Sequence, residues 1–189
     1  MTPENPGPAD AASSSLAVTP DAGIFGQALF AQSPLSTVVY DMRGRIIAGN
    51  AAFERLFALR VEDIRDSYSI LEDAQLAGLG LLPTIQRAFA GEAVALPPLR
   101  YDSSKVSDAG STTWTQAYFY PVRDAAGAVA AVVLVHIDLT ARYLAEEALR
   151  ASEQRARAAL AAGRMGAWEW TIPDGRVIWS PELERIHGL

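Results

Sequence analysis

Two long strand patterns, separated by a tight turn, constrain the fold of this chain more than any other feature. Residues 112–122 alternate between the two faces of a strand, and residues 128–138 are almost continuously apolar. Alternation is typical of a strand with one buried face, whereas a continuously apolar run is typical of a central strand that is covered on both faces. The Gly-containing turn at residues 123–127 joins them, so this part of the chain predicts an antiparallel hairpin inside a sheet.

A helix and a shorter hairpin are predicted upstream. Apolar residues recur at helical spacing over residues 24–30, and the pattern stops before Pro34. Residues 35–40 are rich in β-branched side chains and predict a strand, and residues 45–49 predict its return after a turn at 41–44.

A helical region separates the two hairpins. Asn50 is placed to cap a helix over residues 51–58. Three further helical segments are predicted, over residues 63–65, 71–76 and 82–90. Residues 93–101 are extended, and Pro97-Pro98 either breaks this strand or confines it to a sheet edge, because proline cannot donate to the ladder.

A long helix and a second, shorter β pattern follow. Residues 139–162 contain neither glycine nor proline, and they predict a helix of about 24 residues, roughly 36 Å long. Residues 167–172 and 176–180 predict two strands, and Ser180-Pro181 predicts the start of another helix. Two strands and one helix cannot form a core, so we expect the natural gene product to continue.

Composition divides the chain into four parts. Residues 1–21 are rich in proline, alanine and serine and cannot bury enough apolar area to offset their ordering entropy, so residues 1–23 predict a disordered leader. Residues 24–140 predict a first domain and residues 141–163 a helical linker. Residues 164–189 predict the beginning of a second domain.

Charge and composition exclude several classes of function. The formal net charge is −6, with the two signs interspersed, which argues against a nucleic-acid partner. Cysteine is absent, so disulfides, thiolate nucleophiles and cysteine-ligated metals are excluded. The sequence has neither an apolar run of spanning length nor a secretory signal pattern, so we expect no membrane segment and a cytoplasmic location.

The sequence carries no recognisable catalytic motif. A phosphate-binding loop and a nucleophile elbow are both missing. The two histidines, His136 and His187, fall in different predicted domains, which argues against a shared metal site. We therefore expect no catalysis and no metal centre within this chain.

Five short motifs, in order, make residues 24–140 resemble a PAS domain. They are Ser33-Pro34-Leu35, Asp41-x-x-Gly44-Arg45-Ile46, Asn50-Ala51-Ala52-Phe53, Tyr120-Pro121-Val122-Arg123-Asp124-x-x-Gly127 and Asp138-Leu139-Thr140. The last matches the family's D-I-T signature with leucine in place of isoleucine. The resemblance implies an α+β PAS fold, with a five-stranded antiparallel sheet in the strand order 2-1-5-4-3 and helices on one face, followed by the linker helix and the start of a second PAS domain.

The end of the chain resembles the beginning of a PAS domain of the subclass common in bacterial sensor histidine kinases. The motifs are Gly166-x-Trp168-Glu169-Trp170, Asp174-Gly175-Arg176-Val177-x-Trp179-Ser180-Pro181-Glu182 and His187-Gly188-Leu189. Tandem PAS domains joined by a helix imply the sensory input region of a signal-transduction protein of a two-component system. Its partners would be its own output domain or a cognate response regulator, and a second copy in a homodimer formed through the helices near residues 24 and 139 and the outer sheet face.

The resemblance also indicates where a ligand would bind. His136 matches a position that carries a ligand-facing polar residue in flavin-binding relatives. An imidazole there could form a hydrogen bond with a ligand and titrate near neutrality. The alternative is a buried histidine that is bonded to a backbone carbonyl. Thr115, Ala117 and Phe119 share the strand face that alignment places toward the pocket. Asn50 either reaches the pocket or caps its helix, and Trp114 is expected in the core.

Asp138 and Thr140 are candidate signal-relay residues, since in the family this acid and hydroxyl lie where the sheet meets the output helix. We expect Asp138 to pair with a base such as Arg142, and Thr140 to cap the helix. The alternative is a purely structural cap. The linker itself is either a weakly apolar coiled coil or a solvent-exposed spacer.

Three functions therefore remain open. The chain is a ligand or cofactor sensor, a ligand-free dimerisation module, or a small flavin- or haem-dependent enzyme. The absence of cysteine excludes cysteinyl-flavin photochemistry, but it leaves a non-covalent flavin, a haem or a metabolite possible.

Overall fold

The computed structural model describes residues 22–163 and 165–189. The predicted leader lies almost wholly outside these residues, and the first helix begins at Ala22, two residues before the predicted domain start. The helices are α1 Ala22–Gln32, α2 Ala51–Phe57, α3 Val61–Ile64, α4 Ala74–Gly78, α5 Leu82–Phe89, α6 Thr140–Ala162 and α7 Pro181–His187. The strands are β1 Ser36–Tyr40, β2 Ile46–Gly49, β3 Val94–Ala95, β4 Leu99–Asp102, β5 Thr112–Arg123, β6 Val129–Asp138, β7 Trp168–Thr171 and β8 Arg176–Trp179.

The main sheet is antiparallel and has the predicted topology. Its strand order is β2-β1-β6-β5-β3, with β4 also paired to β5. The first and last strands are central neighbours, since Val38 pairs with Leu134 and Val39 with Val133. The single strand predicted over residues 93–101 is broken into β3 and β4 around Pro97-Pro98, so the sheet has six strands rather than five.

Helices α2 to α5 pack on one face of this sheet and enclose the core. Phe53 and Phe57 of α2 and Ile85 of α5 are buried against Val38 and Phe119 of the sheet. The other face is only partly covered, with Ile137 38% exposed. The expectation that β6 is covered on both faces therefore holds only around Val132–Leu134, where three successive residues are buried.

Helix α6 leaves the end of β6 and carries no buried residue along its length. A two-stranded sheet of β7 and β8 follows, and Ser180 caps α7 by accepting a hydrogen bond from the Leu183 amide. Among the described residues, no helix combines the length and the hydropathy needed to cross a bilayer. The proposed division into leader, domain, linker and second domain stays a prediction.

Candidate functional site

A cavity of about 50 Å³ lies between the helices and the inner face of the main sheet. Five of its lining residues carry polar groups, and the rest are apolar. The polar five are Tyr40, Tyr68, Tyr101, Thr115 and His136. The rings of Phe53, Phe57 and Phe119 also line the cavity.

Strand β5 places three predicted residues on the cavity wall. Thr115, Ala117 and Phe119 are between 2% and 4% exposed, and all three line the cavity. Tyr118 and Tyr120 alternate with them and are 38% and 43% exposed on the opposite face. The period-two pattern of the strand produces this separation. Contact between the inner residues and a ligand stays a prediction.

His136 also lines the cavity, and its ring is held on two sides. Its Nδ1 lies 3.1 Å from the Ser36 hydroxyl oxygen, and its ring meets that of Phe57 edge-on at a centroid distance of 4.8 Å. Burial lowers the pKa of His136 to about 3, although the interaction with Ser36 opposes the shift. The expectation that His136 titrates near neutrality is therefore wrong, and its partner is a side-chain hydroxyl rather than a backbone carbonyl.

Asn50 caps α2 and does not line the cavity. Its Oδ1 accepts hydrogen bonds from the amides of Phe53 and Thr37, at 2.9 and 3.1 Å. Its Nδ2 donates to the carbonyl of Leu35 at 2.9 Å and to that of Phe30 at 3.1 Å. These contacts use both ends of the amide, so the structure corrects the placement of Asn50 at the ligand and supports the capping alternative.

A tyrosine–aspartate cluster borders the cavity and was not predicted from the sequence. It is formed by Tyr68, Tyr101 and Asp73. Asp73 Oδ2 accepts hydrogen bonds from the hydroxyls of Tyr68 and Tyr101, at 2.8 and 2.5 Å. Asp73 Oδ1 accepts from the amides of Gln75 and Leu76 and thereby caps α4. Burial, together with the negative charge of Asp73, raises the pKa of both tyrosines, so their hydroxyls stay protonated.

The two predicted relay residues lie in the joint between β6 and α6, but with different partners. Asp138 Oδ1 accepts a hydrogen bond from the Thr140 amide at 2.8 Å, whereas Arg142 pairs with Glu146. The Thr140 hydroxyl accepts from the Trp114 amide of β5 at 3.0 Å. The expected Asp138–Arg142 pair is therefore wrong, and Thr140 ties the helix start to the neighbouring strand instead of capping it.

Trp114 contacts Leu139, Thr140 and Tyr143 at the start of α6, and the sequence did not indicate these contacts. Its carbonyl accepts a hydrogen bond from the Leu139 amide at 2.8 Å. Its ring stacks on that of Tyr143 with centroids 4.2 Å apart and an interplanar angle of 5°. Trp114 is half-buried on the outer sheet face, so the expectation that it belongs to the core is wrong.

The cavity suits a small molecule better than a large cofactor. Ligand pockets for drug-sized molecules usually measure about 300–1,000 Å³, so neither a flavin nor a haem fits while the three phenylalanine rings hold these positions. Over residues 22–163 and 165–189 no group of three or more His, Asp or Glu side chains is placed to hold a metal ion.

Comparison with known proteins agrees with this architecture. A family profile described as PAS fold matches residues 30–144. The non-motile and phage-resistance protein of Caulobacter vibrioides is 29% identical over 150 residues, which are 77% of this chain and 17% of that protein. The chain thus spans about a sixth of the length of this curated relative.

Two solved structures show the same fold at low identity. An RNA-binding light-oxygen-voltage receptor is 21% identical with a TM-score of 0.52, covering 75% of this chain and 40% of its own. A Rhodobacter sphaeroides LOV protein is 16% identical with a TM-score of 0.51, covering 71% of this chain and 77% of its own. At these identities the likeness concerns the fold alone.

Proposed function

This chain belongs to the PAS-fold family, and we propose that it is the sensory input region of a bacterial signal-transduction protein. A small molecule would bind in the central cavity and change the sheet around it. The joint at Trp114 would pass that change to α6 and then to an output domain outside this chain.

The main support for this proposal is that the adjacent strands β5 and β6 both line the cavity and both contact the start of α6. Thr115 lines the cavity from the inner face of β5, and the preceding residue, Trp114, holds α6 on the outer face. His136 lines the cavity from β6, and Asp138 follows two residues later at the helix start. A shift of β5 against β6 therefore reaches both ends of the joint without crossing a flexible linker.

Such a joint would have two packing arrangements of α6 on the sheet, and ligand binding would change their relative populations. A ligand changes the equilibrium only by its difference in affinity for the two states, so a coupling of about 1–3 kcal/mol is a reasonable expectation. Hydrogen bonds from Leu139 and to Thr140, together with the aromatic stack, would transmit a small displacement of Trp114 as a tilt of α6.

The output domain that we propose is a histidine kinase acting on a cognate response regulator. The motifs of residues 166–189 support this choice, since they resemble the PAS subclass found in such kinases. We also propose a homodimer, and the exposed apolar side chains on the outer sheet face, such as Tyr118, Tyr120 and Ile137, support it. Catalysis would reside in the output domain.

A second candidate function is a dimerisation module that binds no ligand. The small volume of the cavity favours this alternative, because Phe53, Phe57 and Phe119 already occupy much of the space between sheet and helices. In that case the sheet and α6 would serve only to assemble output domains.

Native mass spectrometry and an absorbance spectrum of the purified chain separate the two candidates. A colourless bound mass that disappears on unfolding supports the sensor, and a visible absorption band would contradict the cavity fit described above. The sensor also requires that removal of the bound molecule alters hydrogen exchange in α6. Unchanged exchange would leave the dimerisation module as the better account.

A further inference from the structure

Three buried side chains on the cavity wall carry polar atoms that no described residue pairs with. They are the hydroxyl of Tyr40, the hydroxyl of Thr115 and Nε2 of His136. The three residues are 2%, 2% and 8% exposed. The neighbouring cluster differs, because Asp73 accepts four hydrogen bonds there.

Among the described residues only the Thr113 hydroxyl is fully enclosed without a partner, so the three atoms on the cavity wall are in contact with the space inside the cavity. A polar atom that faces such a space is unfavourable unless water or a ligand forms a hydrogen bond with it. Phenylalanine and valine would supply nearly the same shapes as Tyr40 and Thr115 without this cost. The three residues line one cavity, so their free polar atoms are available to a molecule inside it.

The residues that carry the unpartnered atoms lie at two different levels along the strands. In the strand register, Tyr40 pairs with Val132 and Ser36 pairs with His136. Val132 and His136 are four residues apart along β6, which corresponds to about 13 Å between their backbone positions. The ring of Phe57 contacts both sides of the cavity wall, with its centroid 4.8 Å from that of His136 and 5.8 Å from that of Tyr101.

Every group on the cavity wall is electrically neutral. None of the described residues that line it is a lysine, arginine, aspartate or glutamate. Burial keeps His136 unprotonated, since its pKa is about 3, and burial raises the pKa of Tyr40. Asp73, which accepts hydrogen bonds from the cavity-lining Tyr68 and Tyr101, would repel an anion there. A charged ligand would lose its hydration without gaining a counter-ion.

From this geometry we propose that the cavity selects small uncharged molecules with hydrogen-bonding groups, held by Thr115 and His136 at one level or by Tyr40 at the other, and rejects carboxylates and phosphates. This proposal names the ligand class for the sensor function and rests on that function. A water molecule needs about 10–15 Å³, and an engineered cavity of about 150 Å³ holds benzene. A cavity of about 50 Å³ therefore takes molecules smaller than benzene.

The test uses two isosteric probes, acetamide and acetate, titrated into the isotope-labelled full chain and followed by NMR. Acetamide should bind saturably in the millimolar range and shift the resonances of Thr115 and His136, or those of Tyr40. Acetate should produce no saturable shift at tenfold higher concentration. Xenon forms no hydrogen bonds, so its binding depends only on the presence of the cavity and should be retained in every variant.

Matched variants test the role of the hydroxyls. Thr115→Val and Tyr40→Phe should each leave xenon binding intact, and at least one should weaken acetamide binding roughly three- to tenfold, as expected for one hydrogen bond. Thr113→Val is the control, because the Thr113 hydroxyl has no partner among the described residues and does not line the cavity. It should leave acetamide binding unchanged.

The outcomes distinguish the ligand class from the sensor function. Equal binding of acetate, xenon binding without acetamide binding, or acetamide affinity unchanged in both hydroxyl variants would overturn the proposed selectivity and leave the sensor function standing. Acetamide binding with the predicted selectivity, but without any change in α6, would support the ligand class and contradict the proposed relay.

Discussion

The hydroxyl of Thr140 should be more important than its methyl group, because it is the acceptor for the Trp114 amide at 3.0 Å. Thr140→Val keeps the side-chain shape and removes the acceptor. A donor left without a partner costs about 1–3 kcal/mol when buried. Trp114 is only half-buried, so we expect the free energy of unfolding to fall by about 1–2 kcal/mol. A domain of ordinary stability, about 5–15 kcal/mol, stays folded after such a loss.

Urea unfolding followed by circular dichroism measures this loss, and hydrogen exchange locates it. The Trp114 amide should exchange about five- to thirtyfold faster in Thr140→Val, since 1.4 kcal/mol corresponds to a factor of ten. Thr140→Ser is the control, because it keeps the hydroxyl and should retain most of the protection. Equal exchange of Trp114 in the valine and serine variants would refute the assignment of Thr140 as the tie between β5 and α6.

Three further predictions concern single side chains. The pKa of His136 is about 3 in the folded chain against 6.5 unfolded, so the unfolded state binds more protons between these values and stability falls as the pH drops below about 6.5. Urea unfolding should give about 2 kcal/mol less stability from this group at pH 5 than at pH 7, and His136→Gln should lack that contribution. Asn50→Ala should lower the free energy of unfolding by about 3 kcal/mol, because it removes the cap of α2 and leaves the Thr37 amide without an acceptor. Asn50→Ser, whose hydroxyl can still cap α2, should lose less in the same assay. Thr113→Val should raise the unfolding free energy by about 1 kcal/mol, because the buried hydroxyl has no partner in the described part of the chain, whereas Thr113→Ser should bring no such gain.

Local pattern predicted most of the strands, and the resemblance to PAS domains predicted their order and one wall of the site. Alternation along residues 112–122 placed Thr115 and Phe119 on one face, because a strand turns successive side chains to opposite faces, and the resemblance directed that face toward the pocket. The break at Pro97-Pro98 was predictable for a similar reason, since proline lacks the donor that a continuous ladder needs. The capping position of Asn50 followed from its place before an amphipathic segment.

Contacts between distant segments were not predictable in the same way. Tyr101 meets Asp73 only because β4 pairs with the beginning of β5, a register that no local pattern specifies. The stack of Trp114 on Tyr143 depends on the direction in which α6 leaves β6. The pKa of His136 depends on its depth of burial, which its own strand could not indicate.

The central claim is that a change inside the cavity reaches α6, and a cavity-filling substitution tests it without any ligand. Ala117→Val adds two methyl groups at the cavity wall, and Ala131→Val adds the same groups on the face of β6 opposite Val132. Hydrogen exchange of the Tyr143 amide, which donates to the Leu139 carbonyl at 3.0 Å, reports the first turn of α6. We predict altered protection of Tyr143 in Ala117→Val and unaltered protection in Ala131→Val; unaltered protection in both, with the fold intact, would contradict the coupling of cavity and helix.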